Sequence, residues 1–131
     1  MTHASRDCIE RFVRGTLGCQ CPDDVFRQVE VDTLALPGDY GTGRRLVIGG
    51  RLLIHVVAAS GRPDLLERLE ELATAGRDER DRRGCNRFRL VIGTPAAAGD
   101  TTSLEKRFSR ALDGDDHAHL HVLAANQLPI V

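Results

Sequence analysis

The sequence predicts an α/β domain, with α+β as the neighbouring class, built on a mixed sheet of four to five strands with helices packed on it. Three observations support this class. Apolar residues recur at helical spacing in some segments. Elsewhere they alternate with polar residues or run together, as in strands. The two kinds of segment interleave in the order α-β-β-α-β-α-β, and strand–helix–strand units imply parallel neighbours. The chain has 131 residues, 41 % hydrophobic and 28 % charged, so one globular domain spanning 1–131 with its own core is expected.

Ser5 to Leu17 reads as the first helix. Cys8, Ile9, Phe12, Val13, Thr16 and Leu17 share one face, Ser5 suits the N-cap and Gly18 the stop. Pro22-Asp23-Asp24 reads as the first turn of a short second helix, with proline at its first position and two acids at the positive end of its dipole. From Val29 to Leu36, Val29, Val31 and Thr33 alternate with Glu30 and Asp32 as in a half-buried strand.

The segment Pro37 to Gly43 reads as a hairpin loop. Its glycines and the following Arg44 and Arg45 resemble a phosphate loop only in composition, because the segment leads into a strand rather than a helix. Arg45 to Ala59 is almost continuously apolar, interrupted by Gly49-Gly50. It is one bulged strand or two strands joined by a tight turn, and its second half belongs in the middle of the sheet.

Pro63 to about Arg83 is the clearest helix, with Leu65, Leu66, Leu69, Leu72 and Ala73 as its stripe and a mixed-charge end from Arg77 to Arg83 expected in solvent. Asn86 to Thr94 reads as a strand with Phe88, Leu90 and Ile92 on one face. Ser103 to Leu112 reads as a helix. His117 to Ala125 reads as the last strand, with Ala118, Leu120 and Val122 inward.

Composition narrows the function classes. Net charge is −1, and the aromatics are four Phe and one Tyr, which argues against nucleic acid as a partner. No apolar run reaches membrane-spanning length, and the first residues lack a signal-peptide pattern, so no membrane partner and a cytoplasmic setting are expected. Only Lys106 among the 18 basic residues is lysine, an arginine bias that suits a GC-rich bacterial source.

Two constellations could carry chemistry. The first is cysteine. Cys19-Gln20-Cys21-Pro22 lies between two expected helices, where unpaired N–H groups and the helix dipole favour a thiolate. Cys21 is then the candidate nucleophile and Cys19 its resolving partner. With Cys85 and Cys8, the pair could also hold zinc or an iron–sulfur centre. Cys8 stands ten residues before Gly18, about 15 Å of helix rise, which works against its joining them. The spacing also lacks paired C-x2-C knuckles. A plain tight connection, metal ligation and dithiol redox chemistry all fit.

The second constellation is the strip His117, His119 and His121, which strand periodicity places on one face. Residues two apart lie about 6.6–7 Å apart, so two of them plus a ligand from elsewhere could bind a metal. Asp115 and Asp116 are nearby, and His55 is a candidate only if its strand is adjacent. The same strip also reads as the polar outer face of an edge strand, whose free edge could pair with another chain, including a second copy. No nucleophile–base–acid order stands out, so no catalytic residue is assigned and enzymatic activity stays open.

The segment Thr16-Leu17-Gly18-Cys19-Gln20-Cys21-Pro22-Asp23-Asp24-Val25-Phe26, the stretch Arg83 to Leu90 and the strand His119-Leu120-His121-Val122 resemble a family of small uncharacterised bacterial proteins. The resemblance covers most of the chain and implies a bacterial cytosolic setting but no activity. The thioredoxin-like two-iron ferredoxins have a first cysteine pair spaced like Cys8 and Cys19. Their second pair is missing here, and the leading helix does not match that fold.

Overall fold

Gly49 and Gly50 divide the long apolar stretch. Both adopt positive φ, 61° and 66°, which glycine reaches without steric cost. The Arg51 N–H then donates to the Ile48 carbonyl at 3.0 Å and closes a turn. The computed structural model, which describes residues 9–18, 27–37, 41–59, 64–94, 101–124 and 127–128, therefore has two strands here.

In chain order its elements are the N-terminal helix α1 (Phe12–Thr16), β1 (Val29–Ala35), β2 (Thr42–Ile48), β3 (Leu52–Ala58), α2 (Asp64–Glu67), α3 (Leu69–Arg83), β4 (Arg87–Thr94), α4 (Thr102–Ala111) and β5 (Ala118–Ala124). The five strands form one mixed sheet in the order β1-β2-β3-β4-β5. The first three are antiparallel; β3, β4 and β5 are parallel. The α/β expectation holds. β1 and β2 form the expected hairpin, with Ala35 opposite Thr42, and β3 is the middle strand.

Each face of the sheet buries its own core. On one, Leu53, Val57, Phe88, Leu90 and Ile92 meet Leu65, Leu69, Leu72, Phe108 and Leu112 of the helices and their ends. Each such buried side chain contributes about 1.5–3 kcal/mol. On the other, Leu46, Ile48, Ile54 and Val91 meet Ile9, Phe12, Val13 and Leu17. A Cβ at Gly76 would overlap the Phe88 ring, so this glycine is what lets α3 lie close on β4.

Three expectations need correction. The helix from Pro63 to Arg83 is broken at Arg68 (φ −98°, ψ 21°), where the Arg68 N–H reaches back only three residues to Leu65. The charged end of α3 is not wholly solvated, because Glu79 and Arg80 are buried. The first helix is helical at Ile9–Arg11 but continues as a π-helix over Phe12–Thr16, closed by the Leu17 N–H on the Phe12 carbonyl. Ser5 and the short helix expected at Pro22 lie outside the described residues.

Candidate functional site

Strand parity decides which side chains can meet. The pairs Phe88–Ala118 and Arg89–His119 put Ala118, Leu120 and Val122 on the side of helices α2–α4. His119, His121 and Arg89 lie on the α1 side. His119 and His121 thus share a face, as strand periodicity requires. His117 does not continue the strip, because β5 begins at Ala118 and His117 sits in the preceding turn, its N–H donating to Asp115 Oδ1 at 2.8 Å. His55 lies on the opposite face with β4 intervening, so the structure does not bring it to the strip.

Arg89 is the centre of this face. It is 8 % exposed, and its Nη1 donates to the Leu17 carbonyl at 3.2 Å and to His121 Nε2 at 2.8 Å. Its Nε is buried, and among the described residues it has no acceptor and no carboxylate partner. Burial pushes its pKa down, helped by Arg87. His121 is pushed down to about 4 by burial, then by Arg89 and His119. Its ring is therefore neutral at neutral pH. Accepting from Arg89 at Nε2 leaves its proton on Nδ1. Burial, Arg89 and Arg87 also lower His119.

This arrangement suits an anion better than a metal. The His121 nitrogen facing Arg89 is occupied, and a guanidinium repels a cation. Asp115 is engaged by Arg80 at 2.8 Å, which holds its carboxyl below the ordinary carboxylate value. Among the described residues no group of three His, Cys, Asp or Glu side chains could hold a metal ion.

A cavity of about 430 Å³ runs past the edge of β5, with Arg89, His119 and His121 on one side and Phe108, Ser109 and Leu112 on the other. The Phe88 N–H donates to the His117 carbonyl at 2.9 Å. In a parallel ladder this turns the backbone of residues 117, 119, 121 and 123 toward β4 and that of 118, 120, 122 and 124 outward. The outward N–H groups at the two ends are occupied, Ala118 by the Asp115 carbonyl at 3.3 Å and Ala124 by Gln127 Oε1 at 2.9 Å. Between them, the outward N–H and C=O groups of Leu120 and Val122 have no partner among the described residues.

Sequence reasoning missed a second polar cluster. His55 Nε2 lies 2.8 Å from Glu79 Oε1, and Arg83 Nε donates to Glu79 Oε2 at 2.5 Å. Arg45 Nε is 2.6 Å from that same oxygen, but its N–H points elsewhere, so the contact is coulombic. Burial raises the Glu79 pKa, yet Arg83, His55 and Arg45 together hold it below the ordinary value. Burial lowers that of His55, against the pull of Glu79. The His55 ring meets Phe88 edge-on at 5.1 Å. The cluster ties α3 to β2 and β3. Its signal in the sequence is that Glu79 extends the Leu69, Leu72, Gly76 stripe.

Among the cysteines, Cys85 is buried on the α2–α4 side just after the left-handed Gly84, and burial raises its thiol pKa. Cys8, Cys19 and Cys21 lie outside the described residues. Leu17, two residues before Cys19, packs on the opposite face from Cys85. Among the described residues no helix is long and apolar enough to cross a membrane. No protein-family model, curated protein or solved structure matches this chain.

Proposed function

We propose that this is a binding domain that takes up an extended partner segment along β5. The observation that carries the reading is that the outward backbone groups of Leu120 and Val122 have no partner among the described residues, at an edge where Leu120 lines a cavity of about 430 Å³. A strand with unpaired N–H and C=O groups is a template for another strand. The opposite edge, β1, exposes Glu30 and Asp32, charges of the kind that discourage pairing, whereas β5 from Ala118 to Ala124 has no carboxylate or lysine.

Peptide display against immobilised protein tests this. The expected result is selection of extended peptides that slow amide exchange at Leu120 and Val122, and their loss in Leu120→Pro. That substitution removes an outward N–H and leaves the β4 ladder intact. Selection of peptides that leave these amides unprotected would end the reading. Sedimentation distinguishes the homodimeric form, in which the same amides are protected without peptide.

One observation favours the thiol form of a second reading, a cytoplasmic thiol or metal centre at Cys19 and Cys21. Arg89 holds the chain at the Leu17 carbonyl, two residues before Cys19, and a buried cation favours a thiolate. Elemental analysis and an absorbance spectrum after anaerobic purification test it. Stoichiometric zinc or iron lost in Cys19→Ser would support it; metal-free protein whose thiols titrate near 8.5 would refute it.

A further inference from the structure

We infer that the segment received by β5 carries a carboxylate on the side facing Arg89 and an apolar side chain on the side facing Phe108 and Leu112. This rests on the strand-edge reading above and gives that site its partner chemistry. A strand laid on β5 alternates its side chains between the two faces of the sheet. One set meets the α1 side, where the buried Arg89 has an Nε without an acceptor and no carboxylate partner among the described residues. The other set meets the α4 side, where Phe108 and Leu112 are buried and Leu120 is half-buried.

The distances permit the contact. A strand added to β5 lies two strand spacings, about 9.6 Å, from β4. A glutamate side chain entering from the cavity, which Arg89 lines, spans that gap once the guanidinium, held at the Leu17 carbonyl and His121, turns to meet it. Charge also fixes which way the partner faces. Glu105 on α4 lines the far side of the same groove, so a carboxylate there meets like charge. A second copy pairing through its own β5 satisfies the backbone but brings no acid, because residues 118–124 contain none. Charge complementarity therefore selects an acidic–apolar segment over the β5 strand of a second copy.

The probe is a seven-residue peptide alternating Glu and Val, with Gln/Val and Lys/Val peptides as controls, titrated into the full chain. The Glu/Val peptide is expected to bind at least about tenfold tighter than Gln/Val, the scale of a charge-assisted hydrogen bond. In Arg89→Met the two should bind alike, while Leu120→Pro should abolish both. Equal binding of Glu/Val and Gln/Val to the native protein, with loss in Leu120→Pro, would overturn the acidic specificity and leave the edge reading standing. Binding of neither, with protein that is folded and monomeric, would overturn both. A β5-paired homodimer that excludes peptide would also overturn the inference.

Discussion

Arg89 Nη1 lies 2.8 Å from His121 Nε2, so a buried guanidinium is hydrogen-bonded to a neutral imidazole where a carboxylate would ordinarily stand. The pair is one-sided. Arg89 keeps its charge in a site that disfavours it, and His121 gives up its proton to make room.

The His121 midpoint should lie near 4 when followed by NMR, against an ordinary 6.5. A folded-state value below the unfolded one means that the unfolded chain binds the proton more readily. The stability that comes from neutral His121 is therefore complete above about pH 6.5. It is lost as pH falls toward 4. Urea midpoints across pH 7 to 4 should decline, and less steeply in His121→Gln. Burial is the leading cause of the shift, so Arg89→Met should raise the midpoint only part of the way.

Arg89→Met should leave stability unchanged or raise it by up to about 1 kcal/mol in urea unfolding. Removing a buried charge that has no counter-ion among the described residues offsets the lost bond to the Leu17 carbonyl. A loss above about 2 kcal/mol would show that Arg89 is a structural keystone.

Glu79→Ala should cost about 3 kcal/mol, since it strips the shared partner from His55, Arg83 and Arg45. The two arginines are partly exposed and can hydrate, which keeps the cost at the lower end of the range for a buried network. Urea unfolding gives the value; a cost under about 1 kcal/mol would show the cluster to be incidental.

Gly76→Ala should destabilise by about 1–3 kcal/mol through overlap with the Phe88 ring. Phe88→Leu combined with it should cost less than the sum of the two single changes, as read by thermal unfolding.

The pattern of this chain carries most of its fold. Gly49-Gly50 marks a break without deciding between bulge and turn, the stripe of Leu65, Leu69 and Leu72 announces helix but not its interruption at Arg68, and the alternation through Leu120 and Val122 announces its strand, because backbone geometry and face burial act locally. Arg89 is not legible in the same way. Alternation in β4 points Phe88, Leu90 and Ile92 inward and Arg89 to solvent, but a central parallel strand has no solvent face. Glu79 and Arg80 sit in a run of charges that reads as solvated, and only the packing of α3 on the sheet buries them. The edge position of Leu120 and Val122, unpaired among the described residues, depends on strand order, which pattern leaves open.

The side-chain Nε–H resonance of Arg89 reports most directly on whether this site receives a carboxylate. In the free protein this N–H has no acceptor among the described residues. Adding the Glu/Val peptide should move it downfield and slow its exchange as the Leu120 and Val122 amides become protected, while the Gln/Val peptide should leave it in place. A resonance that stays put when the Glu/Val peptide is bound would contradict the account. So would one that is already downfield in the free protein and returns upfield in Cys19→Ser, because the anion at Arg89 would then be the chain's own thiolate.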